Sequence, residues 1–178
     1  EDLYEEWEKS MWNWITKILG VNEDNLRWRE HSPDERSHYS KMTKDIEYNF
    51  PWGFKELYGL AYRTDYDLKN HMEKSGVDLR YTDPQSGEKF IPHVVEPTFG
   101  MDRTLLAVLF DAYALEEKNG KQRAVLKLKP ALAPYKVAVF PLLANKPELV
   151  EKARSVYDML RGTYNTAWDD RGNIGKRY

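Results

Sequence analysis

His93-Val94-Val95-Glu96-Pro97-Thr98-Phe99-Gly100-Met101-Asp102-Arg103 runs through Thr104 into Leu105-Leu106-Ala107-Val108-Leu109-Phe110. The first part reads as a strand. The second is apolar on nearly every side, which predicts a buried helix. Gly100 stands at the junction. A strand that turns into a helix through a glycine presents unpaired backbone N–H groups at the helix start, and these favour an anion. Arg103 falls in the first helical turn, where the helix dipole disfavours a cation. A bound anion would offset that cost. Asp102 is the alternative, a helix-start residue with a capping role.

Upstream, residues 44–62 read as a β-hairpin. Ile46, Tyr48 and Phe50 alternate, Pro51-Trp52-Gly53 breaks the run, and Phe54, Glu56, Tyr58 and Leu60 alternate again. Alternation puts the Glu56 carboxylate on a face with Phe54 and Tyr58, where it needs a partner. Residues 65–75 predict a short helix ending at Gly76. Residues 79–95 predict a second hairpin turning at Asp83-Pro84-Gln85-Ser86-Gly87. Residues 1–20 predict an amphipathic helix with Leu3, Trp7, Met11, Trp14 or Ile15, and Ile18 towards the core, stopped by Gly20. Residues 22–43 show no clean period.

Downstream, residues 117–135 mark a boundary, with a charged turn over 116–121 and a short extended piece between Pro130 and Pro134. Lys136 to Leu143 then reads as an apolar strand buried on both faces. Pro147 opens a helix to about Arg161, and Tyr164 to Trp168 is the next strand, which completes a βαβ unit. The tail Gly172-Asn173-Ile174-Gly175-Lys176-Arg177 reads as a basic surface turn.

The chain has 178 residues, 27 Lys plus Arg against 29 Asp plus Glu, and a formal net charge of −2. That balance argues against a general nucleic-acid coat protein but not against a local RNA contact. With 13% aromatic residues the composition is that of a folded protein. No apolar run is long enough to span a bilayer, and no basic-then-apolar leader predicts a signal peptide. The absence of Cys removes disulfide scaffolds, thiolate zinc sites and Cys nucleophiles, and fits a reducing cytosol. His31, His38, His71 and His93 lack metal-ligand spacing, so no zinc and no protein-ligated metal site are expected. Neither a Gly-x-Ser-x-Gly elbow nor a Gly-rich phosphate loop is present. Glu56 and Glu96 together could hold a small amine while Arg103 holds a polyphosphate, as an amino acid beside a nucleotide requires.

Glu96-Pro97-Thr98-Phe99-Gly100-Met101-Asp102-Arg103 resembles the third signature motif of class II aminoacyl-tRNA synthetases, in the form used by the glycyl-tRNA synthetase family. Phe54 to Leu68 resembles that family's glutamate-bearing strand and the segment after it, and His71 to Gly76 continues the match. Leu126 to Val139 resembles the opening of the anticodon-binding domain, and Asp169 to Tyr178 a turn within it. The resemblance implies an α+β fold. Residues 1–120 would be the C-terminal part of an antiparallel class II catalytic core, 121–135 a linker, and 136–178 the start of a truncated α/β anticodon-binding domain.

It also implies a cytoplasmic, homodimeric ligase. Such an enzyme activates glycine with ATP and Mg²⁺ to glycyl-adenylate and then charges tRNA(Gly). Carried over by position, Glu56 and Arg103 are catalytic. Glu56, Glu96, Pro97, Thr98, Phe99 and Gly100 bind glycine, and Glu56, Leu57, Gly100, Met101, Asp102 and Arg103 contact ATP. Thr98 stands where the family often has serine and keeps the hydroxyl. The family's first and second motifs, expected before residue 1, are not in the sequence, so the resemblance implies an internal fragment inactive by itself. A non-catalytic synthetase-like interaction module and another class II synthetase of the same subgroup are the alternatives.

Overall fold

The computed structural model describes residues 2–36, 39–118 and 120–172. His38 and most of the expected tail turn lie outside them. Two compact units divide between Lys127 and Leu128.

In the first unit, α1 (Asp2–Asn13) continues as a π-helical stretch, Trp14–Leu19, which Gly20 ends in the left-handed conformation at φ 79°. Strands β1 (Leu26–Glu30), β2 (Met42–Phe50) and β3 (Gly53–Thr64) follow. Next come α2 (Tyr66–Ser75), the two-residue strands β4 (Tyr81–Thr82) and β5 (Lys89–Phe90), and β6 (Val94–Phe99). The main sheet has the order β1-β2-β3-β6 and is antiparallel throughout. The hairpin expected over 44–62 is β2–β3. The second expected hairpin shrinks to β4–β5, because residues 94–99 leave it to pair with β3. Helix α3 (Met101–Ala112) and the hairpin β7 (Tyr113–Lys118)–β8 (Lys121–Leu126) complete the unit. Residues 121–126, read as the opening of a linker, are thus the return strand of a hairpin.

One sheet face carries the core. Ile46, Tyr48, Phe50, Tyr58, Leu60 and Tyr62 are buried there; α1 contributes Tyr4 and Met11, and the π-helical stretch contributes Ile15 and Leu19. The helix is amphipathic as predicted, but its phase differs. Trp7, Trp14, Leu3 and Ile18 are exposed. Tyr4 takes the place expected of the flanking apolar residues because its hydroxyl donates to the Leu60 carbonyl. The π stretch then rotates Ile15 and Leu19 inward.

Helix α3 is not a buried helix. Met101 is 82% and Leu105 60% exposed, and only Ala107 and Ala112 are buried. One face meets the sheet, and polar anchors pin the two ends. Tyr58 Oη lies 2.9 Å from Thr104 Oγ1, whose hydroxyl donates to the Gly100 carbonyl. At the other end Asp111 accepts from the Asn22 amide at 2.9 Å and Asn25 Nδ2 at 2.7 Å. Burial and the Asp111 carboxylate push the neighbouring Tyr48 phenol up to about 12.

The second unit contains the expected βαβ arrangement. Strands β9 (Val137–Val139) and β10 (Thr166–Trp168) pair in parallel around α4 (Pro147–Leu160). Among the described residues the apolar stretch 136–143 is not buried on both faces: β9 pairs with β10 alone, and Leu142 and Leu143 are exposed. Between Pro130 and Pro134 the chain turns instead of extending. The Lys136 ammonium donates to the carbonyls of Pro130, Ala131 and Ala133 at 2.7–2.8 Å.

Candidate active site

Two β-bulges shape the sheet's second face. The first falls at Leu57: Ile46 pairs with Tyr58 and Glu47 with Glu56, which leaves Leu57 as the extra residue. Strict alternation fails there. Leu57 and Tyr58 are both buried, while the Glu56 side chain turns outward and is 54% exposed. Glu56 therefore does not share a buried face with Tyr58, and its charge stays solvated. The second bulge leaves out Arg63, between the Tyr62–Val95 and Thr64–Val94 pairs, and Thr64 adopts φ 54°.

Behind β6, Gly100 caps α3 with φ −91°. That backbone does not require glycine, and an added Cβ would meet only ordinary contacts with the Leu57 carbonyl and the Arg103 side chain. Arg103 folds back across the turn onto β3. Its Nη1 donates to the Glu56 carbonyl at 2.8 Å and lies 3.7 Å from Glu56 Oε2. The cation at the helix start thus has a partner within the protein, but it is not enclosed, since its side chain remains 58% exposed.

Around this pair a cleft of about 440 Å³ is lined by Glu56, Leu57, Gly59, Thr98, Phe99, Gly100, Met101, Asp102 and Arg103. A second cleft of about 380 Å³ on the other side of Glu56 and Arg103 adds Phe50, Trp52, Lys55 and Leu106. Trp52 stacks on Phe50 with ring planes 3° apart. The combination offers the first-turn N–H groups of α3, a guanidinium, a carboxylate and an aromatic shelf. The guanidinium and N–H groups suit an anion, the carboxylate suits an amine or a cation, and the aromatic shelf suits a flat ring.

Of the residues named from sequence, the fold brings eight to the first cleft: Glu56, Leu57, Thr98, Phe99, Gly100, Met101, Asp102 and Arg103. Leu57 is 2% exposed, so it reaches the Gly100 turn through its carbonyl. Asp102 stands in the first turn of α3, inside the helix, and Gly100 is the N-cap. Glu96 and Pro97 are not among the lining residues. Pro97 pairs with Leu60 on the opposite sheet face. Glu96 stands on the open face, where Arg63 Nη1 donates to its Oε2 at 2.5 Å. Arg63 also grips Asp67 through Nε and Nη2 at 2.6 and 2.9 Å. These two carboxylates hold the guanidinium pKa above its ordinary value, and Arg63 holds Asp67 below its own. Sequence reading missed Arg63. Its position four residues before Asp67 was the available signal.

It also missed the polar lining under the cleft. Asp45 and Glu47 are 7% and 8% exposed on β2, facing the same side as Gly59. His31 Nε2 lies 2.6 Å from Asp45 Oδ2, and Arg27 Nη2 2.6 Å from Glu47 Oε2. Among the described residues, no group of three or more His, Cys, Asp or Glu could hold a metal ion. No helix there is long and apolar enough to cross a membrane.

The curated proteins that this chain resembles in sequence are aminoacyl-tRNA ligases. Within that class the match is specific. The chain is 51% identical to a glycine–tRNA ligase of Caldanaerobacter subterraneus subsp. tengcongensis over 97% of its own length and 36% of that protein. It is 50% identical to the glycine–tRNA ligase of Clostridium acetobutylicum over 97% of its length and 37% of that protein. For the Geobacillus kaustophilus ligase the values are 47%, 98% and 37%. The chain is thus similar in sequence to glycine–tRNA ligases over nearly its whole length, and it spans a little over a third of the length of these curated relatives. No family model matches it.

Proposed function

We propose that the first unit is part of the catalytic core of a class II glycine–tRNA ligase, and that residues 136–178 begin its anticodon-binding domain. The whole enzyme, a cytoplasmic homodimer, would join glycine to ATP as glycyl-adenylate, release pyrophosphate, and pass the glycyl group to the terminal adenosine of tRNA(Gly). The observation that carries this reading is the strand–turn–helix Val94–Ala112, which sets Arg103 against Glu56 at the mouth of a cleft floored by β3.

In this reading Arg103 and the first-turn N–H groups of α3 hold the phosphates, and Arg103 stabilises charge on the departing pyrophosphate. Thr98 and Glu56 orient the amino acid. Glu96, steadied by Arg63, lies one row further along the sheet as a second carboxylate for the amine. Mg²⁺ would arrive with ATP and neutralise phosphate charge, and the exposed Glu56 carboxylate would be the protein ligand for it; such ions keep several waters and use few protein ligands. The 178-residue chain alone is not expected to make glycyl-adenylate.

A chimera tests the proposal. This chain replaces the matched segment of the Caldanaerobacter ligase, and ATP–pyrophosphate exchange is measured with a panel of amino acids. Exchange with glycine alone is expected. Exchange with a different amino acid would move the chain to another synthetase of the subgroup. Absence of exchange from a folded chimera would favour a non-catalytic module.

A further inference from the structure

Ahead of β9 the second unit carries a loop, residues 129–136, whose polar groups converge on one side chain. The Lys129 carbonyl accepts from the Leu132 and Ala133 amides at 2.8 and 3.1 Å, which makes a single helix-like turn. Pro134 ends it, because the residue before a proline is steered out of the helical region. The last carbonyls of such a turn have no following amides to accept. Three of them, from Pro130, Ala131 and Ala133, meet the Lys136 ammonium at 2.8, 2.7 and 2.7 Å. An ammonium has three N–H donors and no acceptor, so donors and carbonyls match one to one. A guanidinium is a planar fork suited to two oxygens side by side, and it fits a converging set of three less well.

The start of β10 holds the same loop from the other side. The Lys136 amide donates to the Asn165 carbonyl at 2.9 Å, and Asn165 Nδ2 donates to the Pro134 carbonyl at 2.6 Å. Strands β9 and β10 share only the pairs Val137–Thr166, Ala138–Ala167 and Val139–Trp168. Two strands that short are marginal by themselves. The loop adds two ties just ahead of the first pair. Packing does not fix it: Pro130, Ala131 and Pro134 are exposed, and Tyr135 is 59% exposed. Its shape therefore depends on its polar grips, and three of these belong to one ammonium.

We propose that residues 129–136 are a strap across the end of the β9–β10 pair, with the Lys136 ammonium as its latch. With the ammonium in place the strap is closed and the strand ends are tied. Without it three carbonyls lose their shared donor, and the turn opens while α4 stays folded. The inference concerns the second unit alone and does not depend on the reading of the cleft in the first.

Amide hydrogen exchange of the full 178-residue chain tests it, in the wild type, Lys136→Met and Lys136→Arg. Local opening is what such exchange reads. In Lys136→Met the amides of residues 132, 133 and 136 should exchange at least roughly tenfold faster, the scale of one lost charge-assisted hydrogen bond. Amides in the middle of α4 should keep their rates within about twofold, as sites outside the locally opened unit do. Lys136→Arg should restore part of the protection. Thermolysin cleavage before Leu132, which needs an opened chain, should quicken in Lys136→Met. Unchanged exchange at residues 132, 133 and 136 in Lys136→Met would overturn the inference. A uniform rise through the whole second unit, α4 included, would also overturn it, because Lys136 would then be a general stabiliser and not the latch of a strap.

Discussion

The two faces of the β1-β2-β3-β6 sheet are built from the same strands and opposite chemistry. Leu60 and Gly59 are adjacent in sequence and face opposite ways. Leu60 is fully buried under α1, while Gly59 floors an open cleft between Asp45 and Thr98. The covered face is mainly apolar, with phenol hydroxyls that find partners, such as Tyr4 on the Leu60 carbonyl, and the Lys44–Glu8 ion pair to α1 at 3.0 Å. The open face carries Asp45, Glu47, Glu56, Arg63 and Glu96, arranged in pairs or left in solvent. The difference shows what each face is for. Burial of one holds the sheet together, so the other can hold small residues and charges that contribute little to stability.

The largest effect that tests this contrast is on the covered face. Leu60→Ala removes a side chain with no exposed surface and should destabilise the first unit by about 2–5 kcal/mol. Chemical denaturation followed by tryptophan fluorescence would measure it. A loss under about 1 kcal/mol, the size expected of a surface change, would mean that α1 does not seal this face.

A smaller effect is expected on the open face from Arg63→Met. At neutral pH it should cost less than about 1 kcal/mol, because its ion pairs are partly solvated. Its signature is in acid. Arg63 depresses the Asp67 pKa in the folded state. Stability from that shift is present above the ordinary carboxylate pKa and lost as pH falls through the lowered folded value. Without Arg63 that contribution disappears, so the variant and wild type should differ above this range and converge below it. Parallel acid melts would show that the pair carries no linkage.

How far the sequence foretold this arrangement differs between elements. The β2–β3 hairpin, α2 with its Gly76 stop, and the β9–α4–β10 unit were legible because period and turn residues agree there. The strand-to-helix turn at Gly100 was legible for the same reason, and with it most of the cleft lining. Alternation misplaced Glu56, because a bulge at Leu57 changes the phase and leaves no mark in the pattern. Helix α3 was read as buried from its composition, but composition counts apolar residues and not the neighbours that cover them. The tryptophans of α1 misled in the same way, since a large apolar side chain dominates the pattern while Tyr4 packs inward. Asp45 was not found because its partner His31 lies 14 residues away, beyond any local spacing rule; of the Arg63 contacts only the one to Asp67 is local, and the one to Glu96 spans 33 residues.

Arg103 carries the central claim, that the open face is a nucleotide site and not a second structural surface. In the chimeric ligase, Arg103→Ala should lower glycine-dependent ATP–pyrophosphate exchange by roughly 10²–10³, the scale for one preorganised charge-stabilising group. The melting temperature should stay within a few degrees of the parent, because the side chain is largely solvated and its main partner is a single carbonyl. Near-normal exchange with a clearly lowered melting temperature would contradict the account and make Arg103 a clamp between α3 and β3.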